Sequence, residues 1–367
     1  MTLTNYWWLL IWLVVAGGLL TVMVPKQPVQ VMGKREYRWG MVPALILAAP
    51  YVVWAMNRSN FGDTEVYRKS FLEAPAALLQ IPAYLSEHTK DRGFSVLMIL
   101  IKSVIGNHDK IFFLLIAAFQ IFCIVWFFRR YSDDFLLSIF MFVVSTDYLS
   151  WCFNGIRQFT AVCIVLLGFD FVFRKKYIPA ICIILLASTI HGSALLMLPI
   201  IFIIQGKAWN KRTLLMLIGV VVAIMFMDRF TSVLDTMLAE TQYSDLITNE
   251  IWTTDDGTNI LRVLFYSIPA FLALLGKKYI DNEQNSVMHI CIGCAICTAF
   301  LYFLSAFSSG IYMGRLPIFT TLQGYAAVPW IIERTFNAKS ARIIKMGLVV
   351  GFLAFFYYQM HIAWGIL

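Results

Sequence analysis

The hexapeptide FNGIRQ, residues 153–158, sets an arginine, two amides and a glycine at the start of an apolar run that continues to Phe173. On a helix, Asn154, Arg157 and Gln158 stand at positions i, i+3 and i+4 and therefore share one face. This arrangement suits an anion, because the N-terminus of a helix favours negative charge and an arginine fork matches phosphate oxygens. The alternative is that Asn154 caps the helix and Arg157 snorkels to a lipid headgroup.

Other side chains with chemical potential flank further apolar runs. Asp63, kept ionised by nearby arginines, could accept a proton from a hydroxyl, or it could be an ordinary turn residue. His191 could act as a base or a phosphate partner, or it could be hydrogen-bonded within its own turn. Arg315, followed by Pro317 in a first helical turn, repeats the arrangement of Arg157. Two such helix ends facing one cavity would suit a diphosphate.

The composition places these residues in a membrane. Of 367 residues, 60% are hydrophobic and only 14% are charged, and the mean hydropathy is +0.75. Apolar runs recur from end to end, which predicts an all-α, polytopic integral membrane protein forming one transmembrane domain over residues 1–367. The net charge of +8 does not indicate a nucleic-acid partner. The basic residues fall in short clusters between apolar runs, as membrane orientation requires.

These basic clusters also predict the topology. Alternating their sides, with roughly 20 apolar residues per crossing, gives about 13 transmembrane helices and two long outer loops, at about 57–110 and 228–258. The first loop includes the short apolar stretch Phe94–Ile105, which we predict to be an interfacial or re-entrant helix. The candidate residues then surround an outward cavity with several cations and few carboxylates.

Neither a metal nor a cofactor is expected. Cys291, Cys294 and Cys297 have a spacing that resembles an iron–sulfur run, but the fourth ligand and its proline are absent. Because they lie in an uninterrupted apolar run, we interpret them as small residues at a helix interface.

Several stretches, taken together, resemble a known family. They are, in chain order, Arg58 through Gly62-Asp63-Thr64 to Tyr67, Arg92-Gly93-Phe94, FNGIRQ, His191-Gly192-Ser193-Ala194-Leu195 with Pro199, and Arg315. With this set the chain resembles the EpsG branch of the Wzy-type polysaccharide polymerases, which make bacterial exopolysaccharides and capsules.

The resemblance implies a GT-C-like membrane glycosyltransferase that uses neither metal nor nucleotide sugar. It would act at the outer face of the bacterial cytoplasmic membrane, moving the growing glycan from undecaprenyl diphosphate to the non-reducing end of an incoming lipid-linked repeat unit, with inversion. Its partners would be undecaprenyl-diphosphate-linked oligosaccharides, membrane lipids and a chain-length regulator. The alternative is a transporter or flippase for a lipid-linked or anionic solute.

Each candidate residue then receives an expected role. The catalytic residues would be Asp63, His191 and Arg157. The substrate-binding residues would be Arg58, Tyr67, Arg92, Asn154, Gln158 and Arg315.

Overall fold

The computed structural model describes residues 5–225, 257–308, 310 and 313–366. The chain divides into two compact units. The first comprises Met1–Gly168, Leu186–His191 and Arg342–Leu367, and the second comprises Phe169–Leu185 and Gly192–Ala341. The predicted outer loop 228–258 lies almost wholly outside the described residues, and the single domain over residues 1–367 stays a prediction.

The first unit contains a β-hairpin and the helices up to residue 168. Its elements are α1 (Tyr6–Met23), β1 (Gln27–Val31), β2 (Lys34–Arg38), α2 (Met41–Met56), α3 (Thr64–Glu73), a 3-10 turn (Leu78–Gln80), α4 (Ile81–Glu87), α5 (Arg92–Ile105), α6 (Asp109–Tyr131), α7 (Phe135–Val144), α8 (Asp147–Leu149) with the π-helical turn Ser150–Asn154, and most of α9 (Ile156–Phe173). The antiparallel hairpin turns at Met32 and Gly33, whose positive φ angles of 49° and 82° are those of a type I′ turn.

The described residues of the second unit form helices joined by turns and loops. Its elements are α10 (Tyr177–Ile190), a 3-10 turn (Gly192–Leu196), α11 (Met197–Ile203), α12 (Lys211–Met225), α13 (Ile260–Leu275), α14 (Lys277–Ile280), α15 (Ser286–Ser305), a 3-10 turn (Met313–Arg315), α16 (Ile318–Thr335) and the start of α17 (Ala338–Tyr357). The last turns of α10 and most of α17, with its π-helical continuation Tyr358–Ala363, belong to the first unit.

The core of the second unit is formed by α13, α15 and α16. The rings of Tyr266 and Tyr302 stack with their centroids 4.4 Å apart, and the hydroxyls of Thr298 and Thr320 are hydrogen-bonded at 2.8 Å. Gly324 of α16 lies close to α15, as small residues allow between membrane helices. The three cysteines of the C-x2-C-x2-C run are buried along α15.

Five helices of the described chain are long and apolar enough to cross a membrane: α1, α6, α9, α15 and Ala338–Ala363. A sixth candidate is broken, because α7 and the segment Asp147–Asn154 are bent by 67°. The helix α2, the helix α10, the segment Gly192–Ile203 and α13 are shorter apolar helices. The protein is therefore a mostly helical, multi-pass membrane protein. The predicted count of about 13 crossings is not confirmed.

One polar contact joins two segments that the topology prediction assigns to the same side. Arg38 of the hairpin forms an ion pair with Asp133 at 2.7 Å, and both segments are predicted to be cytoplasmic. Arg68 forms an ion pair with Asp109 at 2.9 Å within the predicted outer loop 57–110. The sides of the membrane on which these segments lie stay a prediction.

The broken span corrects the predicted crossing Phe135–Tyr148. Helix α7 has 10 residues, so it extends only about 15 Å, or half of a hydrocarbon core. The chain then breaks at Thr146, which has a left-handed φ of 71° and is buried together with Ser145 and Asp147. Irregular backbone at membrane depth is tolerated where protein surrounds it, which this burial provides.

The short helix expected at Phe94–Ile105 is present as α5, and a buried lysine ties it to α3. The Lys102 ammonium donates hydrogen bonds to the carbonyls of Phe71, Leu72 and Ala74 at 2.9, 2.7 and 2.6 Å. The C-terminal carbonyls of a helix have no partner within the helix itself. Lys102 therefore stabilises the end of α3 and the position of α5.

Replacing Lys102 with methionine should destabilise this contact. The apolar stem is kept, but the carbonyls of Phe71, Leu72 and Ala74 lose their donor, which costs about 1–3 kcal/mol. The midpoint of thermal unfolding in detergent should fall for Lys102→Met. It should hardly move for Lys69→Met, because the Lys69 side chain is 73% exposed and lies 3.8 Å from Glu73. Equal midpoints for the two variants would contradict this role.

Candidate active site

FNGIRQ spans a helix start rather than lying within one helix. Asn154 ends the preceding π-helical turn, and α9 begins after Gly155, whose carbonyl accepts a hydrogen bond from the Phe159 N–H at 2.8 Å. The predicted helical face shared by Asn154, Arg157 and Gln158 was therefore wrong for Asn154. Asn154 is not the N-terminal cap either. Only Arg157 and the buried Gln158 lie in the first turn of α9.

A buried glutamine of α6 fixes the start of α9. The Gln120 amide donates hydrogen bonds to the Ile156 carbonyl at 3.2 Å and to the Thr160 hydroxyl at 3.0 Å. The Cys163 thiol, one turn further along α9, donates to the Gln120 carbonyl at 3.7 Å. The first two turns of α9 are thus held at the middle of α6.

Arg58 holds the turn before α9 from the other side. Its guanidinium donates to the carbonyls of Ala55 and Cys152 at 2.7 and 2.8 Å and lies between the rings of Phe113 and Phe153, 4.4 and 4.6 Å from their centroids. Arg58 is only 5% exposed, and this burial lowers the pKa of its guanidinium to about 10. These contacts give Arg58 a structural part; its predicted part in substrate binding stays a prediction.

The loop that carries Asp63 is pressed against FNGIRQ. Gly62 has a φ of +54°, and a Cβ there would lie 2.5 Å from Oδ1 of Asn154. Only glycine fits this close approach without strain. Asp63 follows as the residue before α3, so the loop that carries it lies beside FNGIRQ, and its predicted role stays a prediction.

Arg157 is the centre of a small charged cluster. Its Nη1 lies 2.9 Å from Oδ2 of Asp91, its guanidinium carbon lies 5.7 Å from the ring centroid of Tyr67, and it is hydrogen-bonded to that tyrosine. Asp63 interacts electrostatically with both Arg157 and Tyr67. The Arg157 side chain is 39% exposed and that of Asp91 is 2% exposed. Arg157 therefore has protein partners on one side and is partly exposed on the other, and its predicted role stays a prediction.

The charge around Arg157 differs from the predicted cation-rich cavity. Two carboxylates, Asp63 and Asp91, interact with this one guanidinium. These carboxylates are needed because an arginine that is partly inside the protein is costly without an anion beside it. Burial also raises the pKa of the Tyr67 hydroxyl above its ordinary value, and Arg157 opposes that shift.

The turn Asp91-Arg92-Gly93 lies against the helix end that leads to His191. A Cβ on Gly93 would lie 2.7 Å from the Thr189 carbonyl oxygen, at the end of α10. His191 follows two residues later, and its backbone N–H donates to the Ala187 carbonyl at 3.0 Å. Arg92 is exposed as the first residue of α5.

Arg315 belongs to the second unit. It is exposed at the end of the 3-10 turn Met313–Arg315, and Pro317 is the residue that precedes α16. Its place in a cavity shared with Arg157 stays a prediction.

Two residues of this region were not singled out from the sequence. Asp91, directly before α5, and Gln120, in the middle of α6, are not among the candidate residues above. An acidic residue directly before a helix is a start signal, so the position of Asp91 could have been found. Its pairing with Arg157 could not, because it joins segments far apart in the chain.

Chemically, the cluster offers a partly exposed guanidinium, two carboxyl groups and a phenol at the start of a membrane helix. Within the described residues, no group of three or more His, Cys, Asp or Glu side chains is placed to hold a metal ion. The guanidinium and the helix N-terminus can bind an anion, and a carboxylate can accept a proton.

Fold and site together define a multi-pass helical membrane protein with a charged cluster around Arg157 at the start of a membrane helix. A family model described as EpsG family matches residues 41–364, a range that includes every candidate residue. The chain belongs to the EpsG family, the family of Wzy-type polysaccharide polymerases. It is thus a polysaccharide polymerase of glycosyltransferase type. No curated protein and no solved structure matched the chain.

Proposed function

We propose that the protein polymerises lipid-linked oligosaccharide repeat units at the outer face of the bacterial cytoplasmic membrane. The donor is the growing glycan on undecaprenyl diphosphate, and the acceptor is the non-reducing end of an incoming lipid-linked repeat unit. The reaction uses no metal. Membership of the polymerase family supports the reaction class, and the chemistry of the Arg157 cluster supports the kind of leaving group.

The observation that carries this proposal is the position of Arg157. A guanidinium that is 39% exposed at the first turn of α9 combines the two features that favour phosphate, an arginine fork and free backbone N–H groups. At Gly155, which precedes this turn, a Cβ would meet no atom closer than 3.9 Å. The fold therefore does not need a glycine there, and its small size leaves room beside the helix N-terminus for a bulky anion.

The chemical step is a single displacement. The acceptor hydroxyl oxygen bonds to the anomeric carbon of the donor while the bond from that carbon to the diphosphate oxygen breaks. The hydroxyl proton passes to a protein base, and the electron pair leaves with the lipid diphosphate. Attack opposite the leaving group inverts the anomeric carbon. Arg157 and Arg315 stabilise the negative charge that develops on the diphosphate, while Asn154 and Gln158 orient the reacting groups.

Asp63 is the first candidate for the base, and His191 is the second. Asp63 stands beside Arg157, which keeps its carboxylate ionised. Tyr67, Arg58 and Arg92 complete the substrate-binding side chains of this proposal. A chain-length regulator is the proposed protein partner.

Replacing the base should lower the turnover rate without a similar loss of acceptor binding. We expect Asp63→Asn to reduce kcat by about 10²–10⁴-fold, the usual contribution of a general base, and His191→Gln to reduce it much less. The measurement is kcat and KM for chain extension by the purified variants, with pH profiles. The reverse order of effects would assign the base to His191, and wild-type kcat in both variants would rule out both residues.

A transporter or flippase is the second candidate function. One observation favours it: broken helices at membrane depth are common at transporter binding sites, and the span formed by α7 and Asp147–Asn154 is broken by 67°. This feature alone does not separate the two functions, because a buried break can also serve an enzyme.

The location of the accumulated intermediate distinguishes them in cells. After depletion of the protein, a polymerase leaves single lipid-linked repeat units at the outer face, where an impermeant oxidant modifies them. A flippase leaves them at the inner face, protected until the membrane is opened. Protected single units would overturn the polymerase proposal.

A further inference from the structure

Asp91 combines three features that an ordinary loop carboxylate lacks. It has a left-handed backbone with φ 48°, it directly precedes α5, and its side chain is only 2% exposed. Its Oδ2 lies 2.9 Å from Nη1 of Arg157, whose own side chain is 39% exposed. The carboxylate is inside the protein, while the arginine it pairs with reaches the surface of the cluster.

The segment that begins with Asp91 contacts three helices of the first unit that carry or precede candidate site residues, α3, α9 and the end of α10. Asp91 pairs with Arg157 of α9, and Gly93 packs on Thr189 at the end of α10. The ring of Phe94 meets that of Tyr67 on α3, with the centroids 6.1 Å apart. A change at this segment therefore reaches Arg157, Tyr67 and the helix end before His191 together.

We propose that Asp91 is a positioning residue: it binds the Arg157 guanidinium at Nη1 so that the exposed part of the guanidinium faces the diphosphate of a lipid-linked substrate. This inference rests on the proposed function. A guanidinium has five N–H donors in a fixed plane, so one ion pair fixes the plane and leaves donors for a phosphate. Such support by a second layer of residues is what keeps a binding group in its productive geometry.

The burial of Asp91 separates this role from that of a base. A carboxylate whose side chain is 2% exposed does not reach a sugar hydroxyl, whereas Asp63 is only half-buried. Asp91 therefore acts through Arg157. The pair also gives the buried Asp91 carboxylate a cation, and a buried charge without a partner is costly.

A double-mutant cycle tests the proposal. The variants are Asp91→Asn, Asp91→Glu, Arg157→Lys and the double variant Asp91→Asn/Arg157→Lys, all in the full-length protein in detergent. Asparagine is the suitable replacement because it tolerates the left-handed conformation. The control is Asp109→Asn, which removes a carboxylate paired at 2.9 Å with Arg68, outside the proposed site.

We expect Asp91→Asn to raise KM for the lipid-linked donor and lower kcat/KM by about tenfold or more, as coupled residues of one network do. Asp91→Glu should keep most of the activity, and Asp109→Asn should match the wild type. In the Arg157→Lys background, Asp91→Asn should change kcat/KM less than about twofold, because its effect passes through the arginine. An equal loss in both backgrounds would overturn the proposal.

Binding of inorganic pyrophosphate gives a readout that does not need turnover. Its Kd should rise in Asp91→Asn by a factor similar to the loss in kcat/KM, and it should stay unchanged in Asp109→Asn. If the wild type extends no glycan, the proposed function fails, and pyrophosphate binding alone then decides the role of Asp91. An unchanged Kd for pyrophosphate in Asp91→Asn would overturn the proposed positioning role of Asp91. If Asp91→Asn does not fold, Asp91→Glu decides in the same way, since full loss of binding with the charge retained contradicts a positioning carboxylate.

Discussion

Replacing Arg157 with alanine should abolish long-chain polymer while single lipid-linked repeat units accumulate. The variant removes the group that stabilises the developing charge on the diphosphate, and the loss of one preorganised donor typically costs about 10²–10³-fold in rate. Within the cluster of Arg157, Tyr67 and Asp91, the Arg157 side chain is cationic and 39% exposed. Its removal is therefore the most direct way to remove the predicted contact with the diphosphate.

A matched control lies just beyond the C-terminal end of α9. Arg174 pairs with Asp170 at 2.6 Å, at the other end of α9, and its side chain is 45% exposed. Arg174→Ala should therefore leave chain length unchanged, because an exposed ion pair contributes little. Polymer length and single repeat units are measured on extracts of cells that contain equal amounts of each variant in the membrane.

A second variant separates chemistry from stability. Arg157→Ala leaves the Asp91 carboxylate buried without its cation, and breaking a buried pair can cost about 3–5 kcal/mol. Arg157→Lys keeps the charge but loses the planar fork, so we expect a stable protein with strongly reduced polymer. Wild-type chain length in Arg157→Lys and Arg157→Ala would contradict the assignment.

Gly62→Ala should be strongly damaging although it adds only one methyl group. The φ of +54° costs an alanine about 1–2 kcal/mol, and its Cβ would lie 2.5 Å from Oδ1 of Asn154. The side chain of Asn154 or the loop before Asp63 has to move. We expect polymerisation to be lost and the thermal midpoint to fall.

Gly33→Ala is the control for backbone strain alone. Gly33 has a φ of +82° in the turn of the hairpin, and a Cβ added there would meet no atom within 4 Å. Its thermal midpoint should fall by an amount typical of strain, with polymerisation retained. Equal activities of Gly62→Ala and Gly33→Ala would mean that the contact between Gly62 and Asn154 does not shape the site.

The stretches around Arg157 are easier to predict from the sequence than their arrangement. FNGIRQ, Gly62-Asp63 and the Arg92-Gly93 turn each set polar residues or glycine beside an apolar run. The first unit brings these stretches together. This much follows from the sequence because polar groups at the ends of membrane helices are rarely placed without a partner.

The break between α7 and α9 did not follow from the sequence. The hydropathy pattern predicts one apolar run over Phe135–Tyr148. The break depends on the left-handed conformation of a single residue, Thr146, which is set by its packing. The same holds for Asp91 and Gln120. Their hydrogen bonds and ion pairs join segments distant in the chain, and local patterns carry no information on such pairs.

Arg58 shows the limit of assigning roles from residue type. Its position beside Asp63 suggests a phosphate ligand, yet two backbone carbonyls and two aromatic rings surround its guanidinium. An arginine at a site can thus hold the backbone in place, and only the contacts distinguish the two uses.

The most direct test of the central claim is chain growth by the purified protein in detergent, with lipid-linked repeat units as sole substrate. The proposed mechanism predicts polymer without any membrane gradient, made by the wild type and Arg174→Ala but not by Arg157→Ala. Absence of polymer with the wild type, or equal polymer with Arg157→Ala, would contradict it.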